Sequence, residues 1–232
     1  MKKLIYLLLL LPLGFFNSCD EFLDVSSKQE MLQDETFESQ NGVHMYVNGV
    51  YRLLSETSLY GRELTWGVAS VLGNNYNSTS SSNLGTNYYN VSKYTWEYSG
   101  VQTIMTNIWA KGYNVIANCN NIIQEISKKD TSFFEFGSME KNMILGEMYG
   151  IRAMMHFDLL RLFAPAPVTN PTGLAMPYVT TYPDHQPEHK SVNDVLASII
   201  ADMEKAKGIL APVDTIFCLS WNQSTSGRIY QS

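Results

Sequence analysis

Aromatic and amide side chains crowd one stretch of this sequence. Between residues 59 and 100, Trp66, Asn74, Asn75, Tyr76, Tyr94 and Trp96 stand among serines, glycines and further tyrosines. Flat rings stack on the C–H face of a sugar, and amides exchange hydrogen bonds with its hydroxyls. Those six residues are candidate ligand contacts for an oligosaccharide, chosen on composition and location. The run KYTWEY puts Tyr94, Trp96 and Tyr98 at every second position, on one side of the chain if it is extended. Two readings stay open there: a short strand packed on the rest of the fold, or a ligand platform. Trp109 and Tyr113 stand at i and i+4 of a helical pattern, where core packing is the expectation.

Catalytic patterns are missing by comparison. HQPEH, residues 185–189, has the H-x-x-E-H order of a zinc peptidase. That chemistry needs both imidazoles on one helical face, and Pro183 and Pro187 break a helix here. His185 and His189 therefore read as exposed linker residues. No G-x-S-x-G, P-loop or G-x-G-x-x-G occurs. Cys19, Cys119 and Cys218 are too few and too scattered for a disulfide framework or a zinc site. Cys119 falls on a helical stripe and reads as a small buried hydrophobe. The expectation is a protein that binds, with no catalytic residue, metal or cofactor. A net charge of −6 argues against a nucleic-acid partner.

Residues 1–18 have a basic start at Lys2 and Lys3, an apolar run from Leu4 to Phe16, and a small residue, Ser18, before Cys19. This is a signal-peptide layout, too short for a comfortable membrane span. The cysteine after the small residue resembles a bacterial lipobox, with Phe16 and Asn17 as departures from it. Cys19 is then the acylated first residue of the mature chain, and residues 19–33 form its leader. Two or three acyl chains hold a soluble body firmly to a membrane, where one is marginal.

Four helices must position the aromatic stretch. The spacing predicts them over 34–56, capped by Asp34, and over 101–129, 138–164 and 191–208. The second carries a stripe of Ile104, Ile108, Val115, Cys119, Ile122 and Ile126, and the third is apolar on more than one side. Ser191 and Asp194 predict a capping-box-like start for the fourth, and Gly208 its end. Helices two and three should form an antiparallel hairpin. On the third helix, His156 reads as partly buried. Glu147 and Arg152, five apart, cannot face each other and are expected to pair with neighbouring helices. Residues 59–100 read as a long irregular insert, and 165–190 as an extended, proline-rich connector.

In order, CDEFLDV, DETFES, NGVYRLL, IWAKGYNVIANCNNII and GEMYGIRAMMHFDLLRLFAPAPV resemble the SusD/RagB family of Bacteroidetes outer-membrane lipoproteins. The resemblance runs from about residue 19 to 211. Ala164-Pro165-Ala166 stands where the family usually has Gly-Asp before Pro, and the tail 212–232 is atypical. Family members are about twice as long, so the chain resembles an N-terminal half, as a fragment or truncated product. The resemblance implies a mainly α fold of tetratricopeptide-like helical hairpins. It also implies a surface lipoprotein that binds oligosaccharides and passes them to a SusC-like TonB-dependent transporter. The alternative is a helical scaffold that docks on the transporter without sugar affinity.

Overall fold

A computed structural model describes residues 36–77 and 80–220, with side chains as far as Val213. The described helical body falls within the unit Ser39–Ser232. The expectations for the signal peptide, for Cys19, for the leader and for Asp34 lie outside the described residues, as does the Cys218 side chain.

Helix α1 runs Gln40–Leu54 and is capped by Ser39, whose hydroxyl accepts from the Gly42 N–H at 3.1 Å. Val43, Val47, Val50 and Leu54 bury one face of it at helical spacing. The two long helices fall within two residues of their predicted limits. Helix α5, Ser99–Lys128, buries Ile108, Val115, Cys119, Ile122 and Ile126 completely. Helix α6, Gly137–Phe163, buries residues around most of its circumference, including Ile144, Ala153, Met155 and His156. A turn of 3-10 helix, Thr131–Phe133, joins them. Lys141 Nζ donates to the Lys129 carbonyl at 2.5 Å, satisfying the end of α5.

Helix α7 spans Val192–Ser220 and packs antiparallel on α6. Its start is as expected: the Asp194 N–H donates to Ser191 Oγ at 3.2 Å, and that hydroxyl donates back to Asp194 Oδ2 at 2.6 Å. Its end is not. The helix continues through Gly208 and Pro212. A glycine costs a helix interior only about 1 kcal/mol. Here the following turn is held by tertiary contact, because Leu210 lies directly over Gly146 of α6, where an added Cβ would stand 2.5 Å from Leu210 Cγ. Gly112 of α5 plays the same part against Leu159, with an added Cβ 3.0 Å from its Cδ2. The three helices thus approach through two glycines.

Between α6 and α7, β1 (Leu174–Pro177) pairs antiparallel with β2 (His189–Ser191), Met176 opposite Lys190. His185 lies in non-helical backbone and His189 in β2, both exposed, so the helical face a zinc peptidase needs is not formed. The insert is more ordered than the irregular stretch expected. After a series of tight turns over 55–67 it forms α2 (Val68–Leu72), α3 (Ser81–Leu84) and α4 (Thr86–Ser92). KYTWEY is not a strand. Tyr94 adopts φ 57° and the chain turns, so the every-second-residue argument does not apply. No described helix is long and apolar enough to cross a membrane.

Candidate functional site

The α5–α6–α7 layer closes around a buried polar network that the sequence only half revealed. Arg152 of α6 reaches Asp202 of α7 through two bonds of 2.7 Å, from Nε and Nη2. Its Nη1 donates to Asn120 Oδ1 of α5 at 2.8 Å. Tyr178 donates to the same Asp202 carboxylate at 2.5 Å. Burying an ion pair is expensive unless its remaining lone pairs and protons are satisfied, and here they are shared among three helices and the segment after β1. Glu147 likewise pairs outward, accepting from Tyr51 of α1 at 2.9 Å. Both pairings with neighbouring helices are as expected.

His156 is fully buried rather than partly exposed. Its Nδ1 lies 2.8 Å from the Arg152 carbonyl, while Nε2 accepts from the Val179 N–H at 3.1 Å. That pair fixes the neutral imidazole with its proton on Nδ1. Burial, with Arg152 nearby, pushes its pKa down to about 4. The segment after β1 is also stitched to α5. Tyr113 donates to the Pro177 carbonyl at 2.8 Å, Asn120 to that of Val179 at 3.1 Å, and Gln124 to that of Tyr182 at 2.7 Å. These three lie on one stripe of α5. The whole assembly ties α6 to α5, α7 and the segment after β1.

A second buried acid organises the insert. Glu63 is 2% exposed. Its carboxylate accepts from Arg62 Nε at 2.8 Å, from the Tyr88 hydroxyl at 3.0 and 3.1 Å, and from the Val68 N–H at 3.3 Å. The last bond caps α2, and Tyr88 belongs to α4, so one side chain ties both short helices to the turn before them. Sequence reasoning missed Glu63, since an acid beside an arginine looks like a solvated surface pair.

All six candidate ligand residues are exposed, and they fall into two groups. Trp66 and Tyr76 are joined by a bond of 2.6 Å from the tyrosine hydroxyl to the tryptophan carbonyl, with Asn74 and Asn75 on the turn between α2 and Tyr76. Asn74 takes the left-handed φ of 56° that asparagine tolerates. Tyr94 and Trp96 form the other group, their rings edge to face at 5.9 Å. No ring contact among the described residues joins the two groups.

Trp96 also forms one wall of a cleft of about 640 Å³ at the end of the α5–α6 hairpin. Gln102, Met105, Thr106 and Trp109 line it from one face of α5, and Leu162 and Phe163 from the last turn of α6. Trp109, expected in the core, does both jobs. Its ring packs against Tyr113 at 4.9 Å and Phe163 at 5.0 Å, and the half-buried indole borders the cleft.

Residues 21–218 match the sequence profile of a family described as SusD-like, starch-binding associating with outer membrane. The chain belongs to this family. A SusD-like protein from Formosa agariphila is 24% identical over 201 residues, which cover 84% of this chain and 36% of that one. The fold matches a SusD-like carbohydrate binding protein from Bacteroides vulgatus with a TM-score of 0.59 and 20% identity. It matches a SusD superfamily protein from Bacteroides thetaiotaomicron at 0.55 and 22%. Each structural match covers 74% of this chain, and 36% and 37% of the respective relative. This SusD-like chain therefore spans little more than a third of the length of these relatives. The family and the mainly helical fold read from sequence both stand.

Proposed function

We propose that this SusD-like protein binds oligosaccharides at the bacterial outer membrane and passes them to a SusC-like TonB-dependent transporter. It acts by binding alone and makes no covalent change to its ligand. In this reading Cys19 carries the lipid anchor and the helical body faces the cell exterior. The observation that carries the reading is the exposure of Trp66, Asn74, Asn75, Tyr76, Tyr94 and Trp96 together. A folded protein rarely leaves several indoles and phenols in water without a partner for them. Family membership supports the same reading, as does the description of the Bacteroides vulgatus relative as carbohydrate binding.

Titration calorimetry of the mature chain against a glycan panel tests the binding step. Saturable heat with at least one oligosaccharide, reduced by Trp66→Ala or Trp96→Ala, is the expected result. Binding to no glycan, with co-purification of a transporter intact, would instead support the scaffold reading. Mass spectrometry of the mature protein tests the anchor, and an unmodified Cys19 thiol would remove it.

A further inference from the structure

Tyr94 stands at a backbone position where a tyrosine costs stability. Helices α2 and α4 end in the same motif, two backbone hydrogen bonds that close around a left-handed residue. At the end of α2 the Asn75 N–H donates to the Ser70 carbonyl at 3.0 Å, and the Asn74 N–H to that of Val71 at 3.1 Å. At the end of α4 the Thr95 N–H donates to the Asn90 carbonyl at 3.0 Å, and the Tyr94 N–H to that of Val91 at 3.0 Å. The left-handed residues are Asn74, at φ 56°, and Tyr94, at φ 57°. Glycine is the usual residue there and asparagine is tolerated, whereas a β-carbon carrying a ring is strained. Tyr94 does not recover that cost by burial. It is 59% exposed, and its hydroxyl has no hydrogen-bond partner among the described residues.

The Tyr94 ring does meet Trp96, edge to face at 5.9 Å, and no other described ring contacts that indole. The backbone beneath Trp96 is held from both sides. Its N–H donates to the Tyr94 carbonyl at 3.0 Å in a three-residue turn, and the Tyr98 N–H donates to the Thr95 carbonyl at 3.2 Å just before α5 begins. The freedom left to Trp96 is that of its own side chain, and the Tyr94 ring restricts it. We infer that Tyr94 is a positioning residue, kept in a strained conformation because its ring holds the Trp96 indole ready for ligand. This role rests on the glycan-binding reading and is distinct from ligand contact, since it needs the ring of Tyr94 and not its hydroxyl. An indole ordered in advance does not have to be ordered by the ligand. The strain persists because the two bonds that close the end of α4 over-determine the backbone of Tyr94.

Melting curves and calorimetry of the mature chain with malto-, cello-, manno- and xylohexaose test this, for the wild type, Tyr94→Gly and Tyr94→Phe. Stability and affinity should move in opposite directions. Tyr94→Gly relieves the left-handed strain and should raise the melting temperature by about 2–4 °C. It should weaken the hexaose that the wild type binds about two- to ten-fold, the cost of ordering one more side chain on binding. Tyr94→Phe keeps the ring and should match the wild type in affinity. A lower melting temperature in Tyr94→Gly would mean that the tyrosine is there for stability, and would overturn the inference. So would a Tyr94→Phe as weak as Tyr94→Gly, which would make the hydroxyl a ligand contact. If Tyr94→Gly binds as well as the wild type while Trp96→Ala does not, the positioning role fails and the glycan reading survives. Binding of no hexaose by the wild type overturns both.

Discussion

Of the four histidines, His156 alone is fully buried, and lowering the pH should unfold the protein through it. Folded, the ring donates from Nδ1 and accepts at Nε2, so a second proton has no acceptor and drives an N–H into the Val179 N–H. Arg152 adds a like charge, and Lys190 another, while Asp202 opposes them in part; Tyr178 stacks on the ring at 4.0 Å and Tyr113 meets it edge-on at 6.2 Å. The folded pKa of about 4 lies below the ordinary 6.5. The neutral form is thus favoured by folding, and its contribution is fully present above pH 6.5. Stability falls as pH drops from 6.5 and levels off below about 4. The separation corresponds to about 3 kcal/mol at ~1.4 kcal/mol per tenfold change. That is a large part of the roughly 5–15 kcal/mol that holds a domain together. The assay is urea unfolding followed by tryptophan fluorescence between pH 7 and pH 4, for the wild type and for His156→Gln. Glutamine can accept from Val179 and takes up no proton. The variant should start less stable and lose about 3 kcal/mol less across the range, since the other titrating groups are common to both. Parallel losses in the two proteins would refute the reasoning.

Four further outcomes follow from packing and polar satisfaction. Arg152→Met strands the Asp202 carboxylate in the core and should cost about 3–5 kcal/mol in urea unfolding. A loss under 1 kcal/mol would mean that water reaches the site. Gly146→Ala pushes a methyl to 2.5 Å from Leu210 and should cost about 1–3 kcal/mol, read as a lower melting temperature. Gly208→Ala has open space around its added carbon and should be neutral or stabilising by up to about 1 kcal/mol, which the same melts can check. Glu63→Ala leaves the Tyr88 hydroxyl and the Val68 N–H without their acceptor. Amide exchange should speed up in α2 and α4 while the α5–α6 hairpin keeps its protection, and uniform loss of protection would contradict a local role.

The apolar periodicity determined α5 and α6 by itself. Ile108, Val115, Cys119, Ile122 and Ile126 recur at helical spacing, and burying that stripe requires a helix whatever its neighbours are. The family was equally legible, because ordered motifs such as NGVYRLL and GEMYGIRAMM need no coordinates to be recognised. The abundance of exposed-type aromatics and amides between 59 and 100 was legible as composition, but not as geometry. Tertiary structure alone turned KYTWEY into a bend, carried α7 past Gly208 on the support of Leu210 over Gly146, and buried Glu63 between α2 and α4. It also brought Trp96 and Trp109 to the lining of one cleft, and joined Arg152 to Asp202 and Asn120. The difference is one of range. Periodicity is a property of neighbours three and four residues apart, whereas the burial of a polar group and the walls of a cleft depend on residues that meet only once the chain has folded.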